Sequence, residues 1–383
     1  SFSNGVLRAD NFDDIYFSTE NGLEEANHVF IAGNDIVRRI SRRDHFTIAE
    51  IGFGTGLNFL AVMNLLEREI PSTQKKFCQI DYISFEAMPL QAEIMAKSHE
   101  AFPTLKNQSK KLLANLPPRW PGLHRSNFLN GRLRLHLVYC DANQALVDSD
   151  FYADAWFLDG FSPAKNPGLW NRELLMSVGR LTRSGGSFAT FTAASAVRRC
   201  LEDAGFNVKK RPGFGSKREM LSGEKSPVGN NYNPSFDSKR RVGIIGGGIA
   251  GASVAAGLAI RGIHSHIVES FGDLACASSG NRLALQMPRL SVDHNIASRM
   301  SADCLSYSAR LSDEAEVVRS DKVISLDWPL REAVRQSKFR KQLWPEDLMH
   351  FVDASKASQY AGINLKIGGV AHRYGRVIDP ILL

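Results

Sequence analysis

Through the first half of the chain, short apolar runs alternate with stretches whose apolar residues recur at helical spacing. This is the pattern of βαβ units and a parallel sheet. The runs Phe46–Ile51, Gln79–Phe85, Leu133–Tyr139, Ala153–Leu158 and Gly186–Phe191 predict five strands. Amphipathic stretches at Leu57–Glu69, around Leu90–Glu100, at Leu169–Leu181 and at Ala194–Ala204 predict helices. Phe206–Lys210 and Arg218–Leu221 predict a closing hairpin, while Lys106–Asn130, with its prolines and scattered basic residues, predicts an insertion or an irregular crossover. Ser222–Ser238 is polar, rich in Gly, Pro, Asn and Ser, and without periodicity, so it reads as a linker. A second βαβ unit then begins, with strand Val242–Ile245, a glycine turn, helix Ala250–Ile260 and strand His264–Val268. The expected division is a first domain over 1–222, a linker over 223–240 and a second domain over 241–383.

Each unit opens on a glycine-rich turn. The first follows Glu50 and places Gly52, Gly54 and Gly56 at alternate positions, where a backbone free of side chains bends sharply and can lie against an adenosyl ligand. Glu50, the last strand position but one, is placed to reach a cationic amino group. Glu86, Asp141 and Asp159 end the next three strands, and in an open α/β sheet such ends converge on one crevice. There Glu86 suits ribose hydroxyls and Asp141 an adenine amino group. Asp141, standing before Ala-Asn-Gln, also fits a plain helix cap. The second turn, with Gly246, Gly248 and Gly251, has dinucleotide spacing, and Glu269 ends the following strand at the ribose position. That spacing does not separate FAD from NAD.

Composition narrows the class. With 43% apolar and 23% charged residues the chain is globular rather than disordered. A formal charge of +7 fits a polyanionic partner or a mildly basic enzyme equally, and the basic residues come in short clusters such as Lys209-Lys210-Arg211 and Lys217-Arg218. Cys78, Cys140, Cys200, Cys276 and Cys304 show no zinc-ligand spacing and read as reduced core residues, so no metal site is expected. Val242–Ile260 imitates a membrane span, but its six glycines fit a nucleotide-binding strand–turn–helix better. No signal peptide opens the chain, and a cytoplasmic protein with no membrane association is expected.

The run Trp156-Phe157-Leu158-Asp159-Gly160-Phe161-Ser162-Pro163-Ala164-Lys165-Asn166-Pro167 resembles the methyltransferase half of the MnmC family, bifunctional proteins of tRNA wobble-uridine modification. Further matches are Asp14-Ile15-Tyr16-Phe17-Ser18, Gly22-Leu23-Glu24-Glu25, Phe30–Asn34, and a closing pattern from Gly185-Gly186 to Lys217-Arg218-Glu219-Met220. Ala277-Ser278-Ser279-Gly280-Asn281-Arg282 is similar to the loop beside the flavin in the family's oxidoreductase half, a relative of glycine and D-amino-acid oxidases. Gly368-Gly369 and Arg376–Pro380 resemble that half's later return to the cofactor domain.

The resemblance implies an α/β protein: a class I, Rossmann-like methyltransferase domain, then a partial Rossmann-type FAD-binding domain of the D-amino-acid oxidase kind. It implies methylation of 5-aminomethyl-2-thiouridine in tRNA, with S-adenosylmethionine bound by Glu50, Gly52, Gly54, Gly56, Glu86 and Asp141. Asp159 would orient the amine and accept its proton, and Trp170 and Phe161 are core residues or stacking platforms for the base. FAD, bound by Gly246, Gly248, Gly251, Glu269, Gly280, Asn281 and Arg282, would oxidise the carboxymethylamine form; hydrolysis then releases glyoxylate and leaves the aminomethyl group. Residues 241–383 are short for such a flavin fold, so weak or absent FAD binding is expected. Two alternatives stay open: a small-molecule amine methyltransferase fused to an NAD-dependent dehydrogenase, and a tRNA-binding protein with decayed sites.

Overall fold

The computed structural model describes residues 2–3, 6–9, 12–16, 21–69, 78–227, 241–293, 295–341 and 344–383. These form two units, one of Ser1–Leu116 with Arg125–Phe236, the other of Pro117–His124 with Asp237–Leu383.

In the first unit the expected strands form, several with the expected bounds and others longer, and an unexpected one, β3, joins them. They are β1 (His45–Ile51), β2 (Gln79–Phe85), β3 (Gly122–Phe128), β4 (Leu133–Tyr139), β5 (Ala153–Leu158), β6 (Thr182–Thr190), β7 (Phe206–Pro212) and β8 (Glu219–Lys225). Helices α1 (Leu57–Glu69), α2 (Ala92–His99), α3 (Lys106–Ala114), α4 (Ala142–Val147), α5 (Arg172–Arg180) and α6 (Ser195–Asp203) connect them. The eight strands lie in the order β7-β8-β6-β5-β1-β2-β4-β3. β1 runs parallel to both β2 and β5, so the strand order reverses beside it. β7 and β8 close the sheet as an antiparallel hairpin. Each face of the sheet carries its own apolar layer, one around Phe46, Phe59, Leu60 and Tyr82, the other around Trp156, Leu174, Val178 and Phe188. Helices on both faces of a largely parallel sheet with a terminal hairpin give the expected class I architecture.

Two expectations need correction here. Lys106–Asn130 is not irregular: it holds α3 and the edge strand β3. Along β3 the buried positions are His124, Ser126 and Phe128, while Leu123 faces solvent, so two of three inward positions are polar and the alternation that announces a strand is lost. The boundary at 222 falls inside β8, which pairs with β7 through Lys225; residues 228–240 of the expected linker lie outside the described residues.

In the second unit β9 (Arg241–Ile245) runs parallel to β10 (His264–Val268), with α7 (Ile249–Ile260) between them. Two antiparallel three-stranded sheets follow. One is β11 (Ala284–Gln286), β16 (Arg376–Ile378) and β12 (Val318–Ser320); the other is β13 (Val323–Leu326), β15 (Gly369–His372) and β14 (Met349–Val352). The expected return strand at Arg376–Pro380 therefore joins β11 and β12 rather than the β9–β10 pair. Helices α8 (Ile296–Glu314), α9 (Leu330–Phe339) and α10 (Ala354–Ala361) complete this unit. Its core gathers Leu290, Leu305, Phe339, Leu348 and Val370 around Trp120, which comes from the Pro117–His124 excursion. Trp120 Nε1 and the Leu123 backbone N–H both donate to the Asp303 carboxylate, at 3.3 and 3.1 Å.

All five cysteines are free thiols, but only Cys78 is buried, and Cys276 and Cys304 are exposed, contrary to the core reading. The 12 residues of α7 span about 18 Å, and no helix among the described residues is long and apolar enough to cross a membrane. Among the described residues no cluster of His, Cys, Asp or Glu has metal-site geometry.

Candidate functional site

The site lies at the adjoining ends of β1 and β5, where the strand order reverses and an α/β sheet opens a crevice. The glycine turn after β1 requires left-handed backbone. At Gly52 (φ +85°) a Cβ would stand 3.1 Å from the Asp159 carbonyl oxygen, so the turn sits directly on the end of β5. Gly54 N–H donates to Glu86 Oε2 at 2.9 Å. Gly56 closes the turn and starts α1, its carbonyl accepting from Leu60 N–H at 2.9 Å.

Three of the four predicted acids come together around this turn. Glu50, fully enclosed between β2 and β5, accepts from Ser84 Oγ at 2.7 Å and from Asn58 Nδ2 at 2.9 Å. Burial pushes its carboxyl up to about 8, with the Asp159 charge adding to the rise and the two hydrogen bonds opposing it. Asp159 accepts from Asn58 Nδ2 at 2.8 Å and from Gly160 N–H at 2.9 Å. Burial raises it to about 6 against those bonds, Glu25 adds to the rise and Lys217 opposes it. Glu86 accepts from Gly54 and Met88 N–H groups, and burial raises its carboxyl as well. A buried carboxyl of raised pKa is stabilised in its charged form by an incoming cation, so the donor set fits the ammonium and sulfonium charges of S-adenosylmethionine.

Asp141 stands apart from this group as the exposed N-cap of α4, accepting from Asn143 N–H at 2.7 Å. Asn143 Nδ2 and Asn171 Nδ2 both reach the Gly168 carbonyl, tying that strand end to the loop after Asp159. The loop is pinned from the other side by Asp14, whose carboxylate accepts from Ser162 N–H at 3.1 Å. Trp170 is a core residue: it is buried, and its Nε1 donates to the Phe161 carbonyl at 2.8 Å. Phe161 itself stacks on Phe12, with ring centroids 4.8 Å apart. Beside the loop a cavity of about 380 Å³ is lined by Ser162, Pro163, Phe191, Thr192, Lys217 and Arg218 among others. Lys217 Nζ lies 4.2 Å from the Phe191 ring centroid and pairs with Glu25 at 2.7 Å.

Sequence reasoning missed Asn58, the Glu25–Lys217 pair and His99. His99 Nε2 donates to the Thr55 carbonyl inside the glycine turn and Nδ1 accepts from Ser109 Oγ, the neutral form favoured by burial. The one available signal was for Asn58, a polar residue standing in an apolar helical stretch.

In the second unit the turn after β9 is equally tight. A Cβ on Gly251 would fall 2.0 Å from the Gly246 carbonyl oxygen, while one on Gly246 would meet only open space, room for a diphosphate to approach. Gly247 N–H donates to Glu269 Oε2 at 2.5 Å. Gly248 caps α7, whose first N–H is taken by Ser279 Oγ at 3.0 Å. Gly280 N–H donates to Ala277, Asn281 Nδ2 to the Ser278 carbonyl, and Arg282 is exposed. Asn281 thus acts as a turn group, and Gly246, Gly248, Gly251 and Glu269 fit the adenosine-diphosphate end of a dinucleotide.

Residues 103–226 match the model of an S-adenosyl-L-methionine-dependent methyltransferase family, a stretch that takes in Asp141 and Asp159. Residues 241–383 match an FAD-dependent oxidoreductase family. The tRNA 5-methylaminomethyl-2-thiouridine biosynthesis bifunctional protein MnmC of Nitrosospira multiformis is 38% identical over 378 residues, 96% of this chain and 60% of the relative. The chain therefore spans 60% of that relative's length. Among solved structures, MNMC2 from Aquifex aeolicus is 25% identical with a TM-score of 0.48, over 59% of this chain and 69% of that one. A precorrin-6y C5,15-methyltransferase from Geobacter metallireducens is 16% identical with a TM-score of 0.30, over 51% and 87%.

Proposed function

Since the chain is an MnmC homologue, with a segment of a methyltransferase family followed by one of an FAD-dependent oxidoreductase family, we propose that its first unit methylates the primary amine of 5-aminomethyl-2-thiouridine at the tRNA wobble position. The observation that carries this reading is the pair of enclosed carboxyls, Glu50 and Asp159, set on either side of one amide at the switch point of the sheet.

S-adenosylmethionine supplies an activated methyl group. Glu50 would hold its ammonium, Glu86 its ribose hydroxyls, and Asp141, through the oxygen its cap leaves over, its adenine. The acceptor base would enter the cavity beside Phe191, which suits an aromatic ring out of its stack. Asp159 would align the amine and take its proton. Its pKa of about 6 is nearer to working pH than an ordinary carboxyl, which improves it as a base.

The second unit is proposed to hold FAD through Gly246, Gly248, Gly251 and Glu269, with Gly280, Asn281 and Arg282 nearer the ring. FAD accepts a hydride, which suits removal of the carboxymethyl group. The tRNA would be met in part by exposed Lys209 and Arg218, which make no ion pair among the described residues. Action on tRNA would place the protein in the cytoplasm.

The test is nucleoside mass spectrometry of under-modified tRNA treated with the full chain. Conversion of the aminomethyl to the methylaminomethyl nucleoside, dependent on S-adenosylmethionine, is expected. No mass change with tRNA, alongside methylation of a small amine, would favour the small-molecule alternative.

A further inference from the structure

The side-chain amide of Asn58 touches both central carboxyls. Its Nδ2 lies 2.9 Å from Glu50 Oε1 and 2.8 Å from Asp159 Oδ2, and an amide nitrogen carries two hydrogens, one for each. The remaining oxygens are also engaged, Glu50 Oε2 by Ser84 and Asp159 Oδ1 by Gly160 N–H. Asn58 is the second residue of α1 and is buried, so its backbone is fixed by the same glycine turn that rests on Asp159.

We propose that Asn58 is a positioning residue that locks the donor-side carboxyl of Glu50 and the acceptor-side carboxyl of Asp159 into one rigid pair. With both hydrogens committed, neither carboxyl can turn without breaking a bond in an enclosed site, where an unmade bond is costly. Two like charges this close disfavour each other, and the amide between them lets Asp159 ionise beside Glu50. Asp159 also faces Glu25 from helix Gly22–Ala26, Lys217 from the β7–β8 loop and, more remotely, Tyr82 from β2. Of these groups Asn58 alone hydrogen-bonds both carboxyls. The proposal rests on the reading of Asp159 as the proton acceptor.

The experiment compares Asn58→Ala, Asn58→Ser and Asp159→Ala in the full chain. Single-turnover methyl transfer to aminomethyl-tRNA is followed across pH at saturating S-adenosylmethionine, with cofactor affinity measured by dialysis. Asn58→Ala should slow transfer about 10- to 100-fold at neutral pH, as expected when a reacting group is misplaced. Its acid limb should also move to higher pH, because the donor that favours ionised Asp159 is gone. Asn58→Ser keeps one donor and should fall between; it carries the test if the alanine variant does not fold. A limb in the same place, whether the rate is unchanged or lowered equally at every pH, overturns the positioning role. Turnover surviving in Asp159→Ala overturns the reading beneath it, and the proposal with it.

Discussion

Just past the C-terminal end of β2 the Glu86 carboxyl accepts a hydrogen bond from Gly54 in the turn before α1; just past that of β10 the Glu269 carboxyl accepts one from Gly247 in the turn before α7. The crosslink is the same, yet burial raises Glu86, while the bond from Gly247, with others from Ser270 and Phe271, lowers Glu269. The difference lies in what surrounds each turn. Glu86 stands among packed residues of an eight-stranded sheet covered on both faces, whereas β9 and β10 form a pair whose Ile245 and Val268 are 95% and 63% exposed. Packing, more than the local motif, decides whether burial pushes such a carboxyl up or its hydrogen bonds pull it down.

The largest effect should come from the residue that has no counterpart in the second turn. Asp159→Ala should cut methyl transfer by about 10²- to 10⁴-fold, the usual worth of a positioned acid or base. S-adenosylmethionine affinity should stay within a few-fold, as equilibrium dialysis beside a transfer assay would show. Near-normal turnover would remove Asp159 from the chemistry.

The two matched carboxyls come next. Glu86→Ala should weaken S-adenosylmethionine binding by roughly 1.5–3 kcal/mol through lost charge-assisted bonds, and lower the thermal midpoint because the turn loses its tie. Glu269→Ala should reduce flavin retention but leave the midpoint unmoved. Calorimetry and thermal melts on the pair would break the contrast if both variants melted alike.

Glu50 sharpens the comparison through pH. Its ordinary value of 4.5 and folded value of about 8 define a window in which the folded chain holds a proton that the unfolded chain has lost. The unfolded state then binds fewer protons, so stability falls as pH rises from 4.5 towards 8. Asp159 acts with the same sign between 3.8 and about 6. Glu50→Gln should therefore flatten the fall in thermal midpoint above pH 6 and leave part of it below. Binding the cationic cofactor at pH 7 should also expel a proton from Glu50, read by calorimetry in buffers of different ionisation heat. Flavin binding beside Glu269 should expel none from that carboxyl.

The smallest effect is expected at the basic surface. Lys210 is paired with Glu219, and Arg211 donates to the Ala32 and Gly33 carbonyls, which leaves Lys209 and Arg218 the better phosphate contacts. Replacing both with Gln should reduce the slope of log tRNA affinity against log salt by about 1 to 2. An unchanged slope would place the tRNA on another surface.

Much of this was readable in the chain because several elements obey a single period. Gln79–Phe85, Leu133–Tyr139, Ala153–Leu158 and His264–Val268 form strands with the expected bounds, and both glycine turns lie where their spacing put them. β3 escaped because two of its three inward positions, His124 and Ser126, are polar. Asn58 and His99 escaped for a related reason: each is a buried polar helix residue with one partner far along the chain, Asp159 and Thr55 respectively. Glu25 and Lys217 are 192 positions apart, a distance across which no local pattern reports. Asp141 shows the opposite limit, since a cap and a ligand-binding acid look the same in sequence.

The excursion of residues 117–124 bears on how the chain can be made and divided. Trp120 leaves the ribosome well before residues 241–383, in whose core it is buried. During synthesis a large indole must wait in water, or under a chaperone, for the partners that cover it. Cutting the chain between 227 and 241 would thus not release two self-sufficient modules. One fragment would carry an apolar plug with nothing to fill, the other a hollow where Trp120 belongs. A gene that splits there would have to move those eight residues as well, or lose solubility in one product and stability in the other.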